Sequence, residues 1–376
     1  MNFDFGETER ARCEKIKALF DPESREALAK LEKGDAEEIR EATLKWMQIL
    51  GQAGYLTLGL DDGKNSVSLI ATQEGLATIS PSLFLTVEVT ARIFGRLVAV
   101  YGALDQKDDI IPPLKEGRLI GAVALSERGM NIENDPLDTS GVRDNDGFRV
   151  SGLKNHVVNG PIADWIAVAG KSGEGVAFFL IKKGSEGLST DQRLSTLGYN
   201  GTAISAVTLE NCPVTSACII GPFEGEEPLR SVRAWEDQIL TAASLGQMQR
   251  SYDEAVNYAK IHLSGGKPII AYQEVGFKLA EMLTLLQTAR LLAYRAAWMT
   301  EAGDREAGVL AHCAKVFCTE SAEEVASHAL QILGGQGFIR GNPAEGGYRD
   351  SKYLQIAGTS SEISRMKIAD EVLLGY

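Results

Sequence analysis

The chain has 376 residues, of which 44% are hydrophobic and 24% charged, a composition typical of a folded protein with a large core. Its net charge of −13, with no basic stripe on any segment, argues against nucleic-acid binding. No apolar run of about 18 residues occurs and the N-terminal residues lack the apolar core of a secretory signal, so we expect no membrane insertion and a cytoplasmic location. The five cysteines form no C-x-x-C pair and are expected to be reduced thiols.

The first part of the chain, residues 1–118, has a helical pattern. Apolar residues recur at helical spacing in 24–31, 37–50 and 81–101. Ser80 followed by Pro81 is typical of a helix cap and a first-turn proline. A loop-rich joint is expected over 50–63. These patterns predict an all-α N-terminal domain.

Residues 119–224 change to a period of two. Apolar and polar residues alternate between Gly, Asn and Asp turns in five segments, which are 120–127, 147–160, 165–171, 176–183 and 203–214. Such alternation indicates strands that bury one face. We predict a middle domain built as an antiparallel β-barrel or sandwich.

Helical spacing returns in residues 225–376. Helices resume after Pro228, long helices are predicted over 274–300 and 309–333, and another is predicted to begin near Ser361, so we expect a four-helix bundle. A glycine cluster at 334–337 ends the helix predicted over 309–333. Because it follows a helix and not a strand, it fails the context of a dinucleotide-binding fingerprint, and a plain helix-ending turn is the alternative interpretation.

Three motifs follow one another in this C-terminal region. They read Q-I-L-G-G-x-G-F at 331–338, Y-R-D-x-K at 348–352 and G-T-S-x-E-I-x-R at 358–365. In this order and spacing they resemble the C-terminal signature of the acyl-CoA dehydrogenase family. The succession of helical, β and helical regions is similar to that family over essentially the whole chain. The resemblance implies the family's three-domain fold, an FAD cofactor and a tetramer of paired dimers.

The resemblance also implies a reaction. In this family a carboxylate removes the α-proton of an acyl-CoA while the β-hydrogen leaves as hydride to FAD, and an electron-transfer flavoprotein takes the electrons. The α-proton is only weakly acidic. The site therefore has to raise the proton affinity of the base by burial and to stabilise the thioester oxygen with hydrogen-bond donors.

Glu236 is the expected base. The commonest family pattern places a glutamate directly before the Gly-Thr of the last motif, where this chain has Ala357. A subset of the family that includes the isovaleryl-CoA and long-chain enzymes carries the base on an earlier helix, and alignment on Leu245 and Gly246 puts it at Glu236. The alternative is a carboxylate that only complements a helix dipole. Asp237 replaces the arginine that usually follows this glutamate. The resemblance implies that the N–H of Ala357 still binds the thioester oxygen.

The resemblance assigns three residues to the flavin ring, and two of them depart from the family. Ser126, within LSERGMNIEN at 125–134, matches a hydroxyl residue at the ring edge, although a serine that merely ends a strand is the alternative. In KNHVVN, at 154–159, His156 replaces an aromatic residue that packs on the flavin. Val158 replaces a hydroxyl residue that donates to N5.

Other FAD contacts are implied for the neighbouring subunit of a dimer. In HLSGGKPIIAYQ, at 262–273, His262 and Gly265 replace the arginine and phenylalanine of the family motif, and the loss of a guanidinium removes a bidentate phosphate partner. The remaining residues implied to contact the cofactor match the family, and these are Lys267, Gln273, Gln331, Gly334, Gly335 and Thr359.

These departures leave alternatives to a self-sufficient dehydrogenase. One is a flavin-deficient subunit of a hetero-oligomer whose partner completes the site. Another is an enzyme of the same fold that oxidises a thioester on an acyl-carrier protein or uses oxygen. No metal site is expected, because His312 and His328 lie in long helices without a convincing set of ligands.

Overall fold

The computed structural model of the protein describes residues 7–60, 64–128, 135–173 and 175–374. The N-terminal region is helical, as predicted. Its α-helices are α1 (Glu7–Lys17), α2 (Pro22–Lys30), α3 (Ala36–Gln52), α4 (Ser66–Ile79), α5 (Pro81–Glu88), α6 (Arg96–Tyr101) and α7 (Leu104–Lys115). The predicted joint at 50–63 holds the end of α3 and a 3₁₀ turn, Tyr55–Thr57, while 61–63 lie outside the described residues.

Local signals explain where α3 begins and which face it buries. The side chain of Asp35 accepts from the backbone N–H of Glu38 at 2.9 Å, and the Glu38 side chain accepts from the backbone N–H of Asp35 at 3.0 Å. This capping box satisfies two helix N–H groups that have no partner within the helix. From there, residues at helical spacing enter the core. They are Ile39, Thr43, Trp46, Met47 and Leu50.

The helix predicted over 81–101 is one continuous helical run with an irregular centre. Ser80 caps it by accepting from the N–H of Leu83, and Pro81 stands in the first turn, as expected. Between α5 and α6, however, Val89–Gly95 forms a π-helix. Such a wider turn is rare and is found mostly at functional sites. Here it presents Val89 and Ile93 to the cavity described below.

Within its described residues, the middle region forms eight strands in one sheet. They are β1 (Gly121–Ala124), β2 (Ser140–Asp144), β3 (Gly147–Val158), β4 (Trp165–Lys171), β5 (Val176–Lys182), β6 (Leu188–Thr190), β7 (Ile204–Thr215) and β8 (Ile219–Phe223). The order along the sheet is β6-β7-β3-β2-β4-β5-β8, and β1 pairs with β4. Most pairs are antiparallel, but β4 pairs in parallel with β1 and β2. The expectation of a purely antiparallel domain was therefore wrong in this detail.

The sheet curls around a core of its own. One cluster of buried side chains combines residues of β1, β3, β4, β5 and β7, although β5 and β7 are far apart in the strand order. In β4, Ile166 and Val168 belong to this cluster, whereas Ala167 and Ala169 join the core shared with the helices. Strands covered on both faces lose the polar alternation of a half-exposed strand, which accounts for the continuous burial of β4 and β5.

The C-terminal region is helical and has α10 at its centre. Its helices are α8 (Glu227–Ile261), α9 (Gln273–Glu301), α10 (Ala307–Leu333), α11 (Pro343–Ile356) and α12 (Ser361–Leu374). Helix α10 contacts each of the other four. The described part of this region thus has five α-helices instead of the expected four, and the additional one is α11, which the apolar pattern did not indicate. A short hairpin, β9 (Leu263–Ser264) and β10 (Lys267–Pro268), connects α8 to α9.

The proposed domain boundaries at 118 and 224 fall in connections, after α7 ends at Lys115 and after β8 ends at Phe223. Extensive contacts join α4 to α8, so the helices on either side of the sheet region form a shared core. None of the helices among the described residues has the length and apolar character needed to cross a membrane.

Candidate active site

A cavity of about 430 Å³ lies where all three regions meet. The π-helix forms one wall with Val89 and Ile93, and the first and third strands form another. Helices α8 and α11 close the opposite side. Of the residues predicted to carry chemistry, five line this single space. They are Ser126, His156, Val158, Glu236 and Ala357.

Glu236 lies in the cavity wall on α8 and is only partly exposed. Helix α8 begins at Glu227, so Glu236 lies well beyond the first turn, where the effect of a helix dipole fades. Burial, reinforced by the negative charge of Asp237, raises the pKa of Glu236 to about 7, while Lys315 and Arg233 oppose the rise. A carboxyl group with this pKa can hold or release a proton near neutral pH.

Asp237 points away from the cavity into a buried hydrogen-bonding cluster. Its Oδ1 accepts from the N–H of Thr359 at 2.8 Å and lies 3.4 Å from Nζ of Lys315. Lys315 is fully buried on α10. Asp237, which stands where the family usually has arginine, is therefore paired with the cation Lys315 on the neighbouring helix α10.

The backbone turns sharply after α11, next to Glu236. Gly358 has φ of +62°, and a Cβ added to it would lie 3.4 Å from Cγ of Glu236 and 2.6 Å from Oδ1 of Asp237. The N–H of Ala357 donates to the carbonyl oxygen of Tyr353 at 2.9 Å. In this geometry that N–H completes the helix end, and its predicted role as a donor to the thioester oxygen stays a prediction.

The predicted flavin strand is β3, and it is irregular where it meets the cavity. Its pairing with β7 shifts between Lys154 and Val157, which is a bulge, and His156 in this bulge has φ of +54°. Bulges re-aim side chains and are common beside active sites. His156 is exposed to the cavity, whereas Val158 is nearly buried and brings no polar side-chain atom.

Ser126 is held beside this strand by backbone and ionic contacts. Its carbonyl oxygen accepts from the N–H of Asn155 at 2.9 Å. The next residue, Glu127, forms a buried ion pair of 2.6 Å with Lys154 of β3. A buried lysine requires such a partner. Part of the motif, 129–134, lies outside the described residues.

A second set of predicted cofactor residues lies at the far end of the helical region. Short connections make α8, α9 and α10 antiparallel, so the ends that carry this set lie together. The set consists of His262, Lys267, Gln273, Gln331, Gly334 and Gly335, and all of them are exposed. At about 1.5 Å per residue, His262 lies roughly 39 Å along α8 from Glu236. Within a single chain, the exposed set at this end therefore lies far from Glu236 and the cavity.

The hairpin that carries His262 and Lys267 makes its own internal contacts. The ring of His262 stacks on Tyr258 with centroids 4.7 Å apart. Nζ of Lys267 lies 4.2 Å from the centre of the Tyr272 ring. Gly265 and Gly266 form the tip with positive φ angles. His262 and Lys267 are therefore exposed to solvent, and each is oriented by an aromatic ring of its own chain.

The described residues fit the implied FAD. The predicted ring contacts line one cavity, and Oγ1 of Thr359 is buried without a hydrogen-bond partner in the described part of the chain. A buried hydroxyl without a partner carries a desolvation cost that a ligand atom removes. Gly334 and Gly335 have no atom within 4 Å of an added Cβ, so a ligand can approach their backbone.

Sequence reasoning missed three residues of the site, namely Arg233, Lys315 and Tyr353. Arg233 and Tyr353 line the cavity, and Lys315 lies behind it. A lysine in an amphipathic helix is normally expected to be exposed to solvent, so nothing in the sequence indicated that Lys315 is buried. Tyr353 follows directly after Y-R-D-x-K but is not part of that motif, so the motif did not single it out.

The expectation for His328 was wrong in one respect. Its Nε2 lies 3.2 Å from Oε2 of Glu281 and 3.9 Å from Oε1 of Glu324, so two carboxylates do lie close to it. Within the described residues these three form the one group whose ligand atoms could reach a common metal ion. Both carboxylates are exposed, and exposed acidic groups of this kind are common without a metal.

Comparison with known proteins identifies related chains. The acyl-CoA dehydrogenase middle-domain model matches residues 122–212, and the acyl-CoA dehydrogenase C-terminal-domain model matches residues 235–373. A 3-(aryl)acrylate reductase of Clostridium sporogenes is 32% identical over 287 residues, which are 75% of this chain and 76% of that protein. The mitochondrial isovaleryl-CoA dehydrogenase of Oryza sativa is 33% identical over 282 residues, which are 72% of this chain and 68% of that protein.

Solved structures share the fold along the whole chain. Butyryl-CoA dehydrogenase from Megasphaera elsdenii superposes with a TM-score of 0.89 at 24% identity, covering 100% of both chains. A prolyl acyl carrier protein oxidase superposes with a TM-score of 0.85 at 25% identity, covering 99% of this chain and 100% of that one. The predicted order of helical, β and helical regions is thereby confirmed.

Proposed function

Because the chain belongs to the acyl-CoA dehydrogenase family, whose members are FAD-dependent enzymes, we propose that it introduces an α,β double bond into an acyl thioester with Glu236 as the base. The observation that carries this proposal is the position of Glu236. It lies in the cavity that also contains the predicted flavin contacts, and its pKa is raised to about 7. The residue at the family's more common base position is Ala357, which has no acidic group.

The chemistry of the proposed step follows from these groups. Glu236, ionised, accepts the α-proton of the thioester and becomes a neutral carboxylic acid. FAD, when bound, supplies the acceptor for the β-hydrogen and its electron pair. Apolar residues of the π-helix and of β1 exclude water from the acyl group, which strengthens each electrostatic interaction in the cavity. Ser126, His156, Val158 and Thr359 are the residues of the same subunit proposed to hold the cofactor.

The pH dependence of turnover tests the state of Glu236. The base has to be ionised before it can accept a proton, and its pKa of about 7 lies above the ordinary value of 4.5. The active form is therefore lost as pH falls through about 7. We expect kcat/KM to fall roughly tenfold per pH unit well below this value. A profile measured between pH 5 and pH 9 that stays flat down to about pH 5 would contradict the raised pKa.

Cofactor content tests whether one kind of subunit is sufficient. We expect the protein expressed alone to be yellow and to release about one FAD per chain on denaturation, because both sets keep residues that match the family's cofactor contacts, among them Ser126, Gln331, Gly335 and Thr359. Its visible bands should bleach when a substrate such as butyryl-CoA or isovaleryl-CoA is added. The measurement is the absorption spectrum before and after denaturation. A colourless protein that binds no added FAD would contradict this expectation.

A subunit that depends on a different partner is the second candidate. It is favoured by the hairpin at 262–268, where the basic residues already contact Tyr258 and Tyr272 within their own chain. The arginine that family members offer to the pyrophosphate is missing there. Recovery of full FAD content only after addition of a second, different chain would support this candidate over the first.

We propose that the chain forms an oligomer, with a homotetramer as the first expectation. Helix α9 carries large apolar side chains on its outer surface at multiples of seven residues. They are Phe277, Leu291 and Trp298, with exposed fractions of 67%, 57% and 57%. Such a row, interrupted at position 284 by Thr284, presents exposed apolar side chains to a partner helix. An oligomer also unites the two sets of cofactor residues that a single chain keeps apart.

We propose an acyl-CoA as the substrate and an electron-transfer flavoprotein as the electron acceptor, in keeping with the family. The similarity to a carrier-protein oxidase makes a carrier-bound thioester the alternative substrate. Parallel assays with free CoA esters and carrier-bound esters, each with the flavoprotein and with oxygen, separate these versions.

A further inference from the structure

Lys315 is a fully buried cation behind the cavity, and its side chain contacts the turn at 357–359 and Asp237. Its Nζ donates to the carbonyl oxygen of Ala357 at 2.9 Å and to that of Thr359. The same atom lies 3.4 Å from Oδ1 of Asp237. A lysine buried to this degree is stable only when its charge is paired and its N–H groups are hydrogen-bonded. Here both conditions are met by the turn and by Asp237.

Asp237 holds the same turn from the opposite helix. Its Oδ1 accepts from the N–H of Thr359 at 2.8 Å while it faces Lys315. The two charged residues therefore contact both kinds of backbone group in residues 357–359. Lys315 on α10 donates to two carbonyl oxygens, and Asp237 on α8 accepts from one N–H. Between them Gly358 lies against the side chain of Glu236.

We infer that Asp237 and Lys315 are positioning residues that fix the turn at 357–359 against Glu236 and set how readily this carboxyl group takes up a proton. The inference rests on the proposed function, in which Glu236 is the base. It also accounts for the acidic residue at position 237, which replaces the usual arginine of the family.

The electrostatic effects of the pair on Glu236 have opposite signs. The negative charge of Asp237 raises the pKa of Glu236, and the positive charges of Lys315 and Arg233 lower it. The other charged or titratable side chains that line the same cavity are His156 of β3 and Arg349, Lys352 and Tyr353 of α11. Burial lowers the pKa of Lys315, while Asp237 and Glu236 act to raise it. Removal of either member should therefore move the titration of Glu236 in a predictable direction.

Asp237→Asn is the first variant, because it is isosteric and keeps an oxygen that can accept from Thr359. We expect the acidic limb of the kcat/KM profile to move down by about one pH unit, since a nearby like charge has been removed. Lys315→Met should move the acidic limb to higher pH, because a nearby positive charge has been removed. Lys315→Arg keeps that charge and should move the limb least. Flavin content and the melting temperature of each holoprotein report separately on folding.

The same quantity can be measured without a substrate. The infrared band of the protonated Glu236 carboxyl group is assigned by its disappearance in Glu236→Gln and is then titrated with pH in each variant. A lower midpoint in Asp237→Asn and a higher one in Lys315→Met would support the inference. Unmoved midpoints in variants that keep their flavin would overturn it, because a merely structural role changes stability without changing this titration.

Two outcomes keep this inference distinct from the proposed function. If Glu236→Gln retains full turnover, the assignment of the base is wrong. If Glu236→Gln is inactive and the midpoint of Asp237→Asn equals that of the unaltered protein, only the positioning pair is wrong. Asp237→Asn also carries the test if Lys315→Met, which leaves two carbonyl groups without a donor, yields no folded protein.

Discussion

Glu236→Gln should lower kcat by about 10³-fold while FAD content stays near one per chain. Glutamine has the shape of glutamate but cannot accept the α-proton, so the loss falls on the chemical step. Binding of the acyl group depends on apolar walls that this substitution leaves intact. The measurement combines steady-state turnover with the rate at which the flavin bands bleach after rapid mixing with an acyl-CoA.

Glu227→Gln is the matched control for this prediction. Glu227 lies in the first turn of the same helix α8, accepts from the hydroxyl of Tyr101 at 2.7 Å and does not line the cavity. We expect its turnover to stay within about twofold of the unaltered enzyme, as for other surface substitutions. Equal losses in both variants would show that α8 has been disturbed as a whole and would remove the support for Glu236 as the base.

Gly358→Ala is expected to impair both stability and turnover. A non-glycine residue in the left-handed region costs about 1–2 kcal/mol, and φ at this position is +62°. The added Cβ would also lie 2.6 Å from Oδ1 of Asp237 and 3.0 Å from Cδ1 of Leu240. Accommodating such an overpacked atom typically costs about 1–3 kcal/mol more of stability. Because Asp237 and Glu236 are adjacent, the displacement should also reduce kcat.

Gly303→Ala separates these two costs. Gly303 has φ of +65°, close to that of Gly358, but no atom lies within 4 Å of its added Cβ. It follows α9 in an exposed turn, so only the backbone cost of about 1–2 kcal/mol applies and turnover should not change. The readouts are the melting temperature of the holoprotein and kcat. Equal melting temperatures and full turnover in both variants would contradict the close packing around Gly358.

Much of the fold could be predicted from local patterns. The cap at Ser80 and the periodic apolar positions of α3, α9 and α10 placed helices within a few residues of their observed bounds. The alternation of apolar and polar residues likewise placed the strands β3 and β7 within a few residues of their observed bounds. The parallel pairing of β1 with β4 could not be predicted, because strand order depends on contacts between residues far apart in the chain.

The candidate site shows the same division. Family motifs selected Glu236, Ser126 and Thr359, and the structure brings the first two into one cavity and leaves the hydroxyl of the third without a partner in the described residues. The motifs did not indicate that Asp237 pairs with Lys315. These residues lie on different helices, and no periodicity relates them.

The sequence by itself determined which residue types are available for chemistry: a glutamate at 236, an alanine at 357, and valine and histidine where the family usually has polar and aromatic flavin contacts. It also determined the succession of helical, β and helical regions, because hydrophobic periodicity is a local property. Only the tertiary structure decided the proton affinity of Glu236. That property depends on burial and on the charges of Asp237, Lys315 and Arg233, which packing brings together.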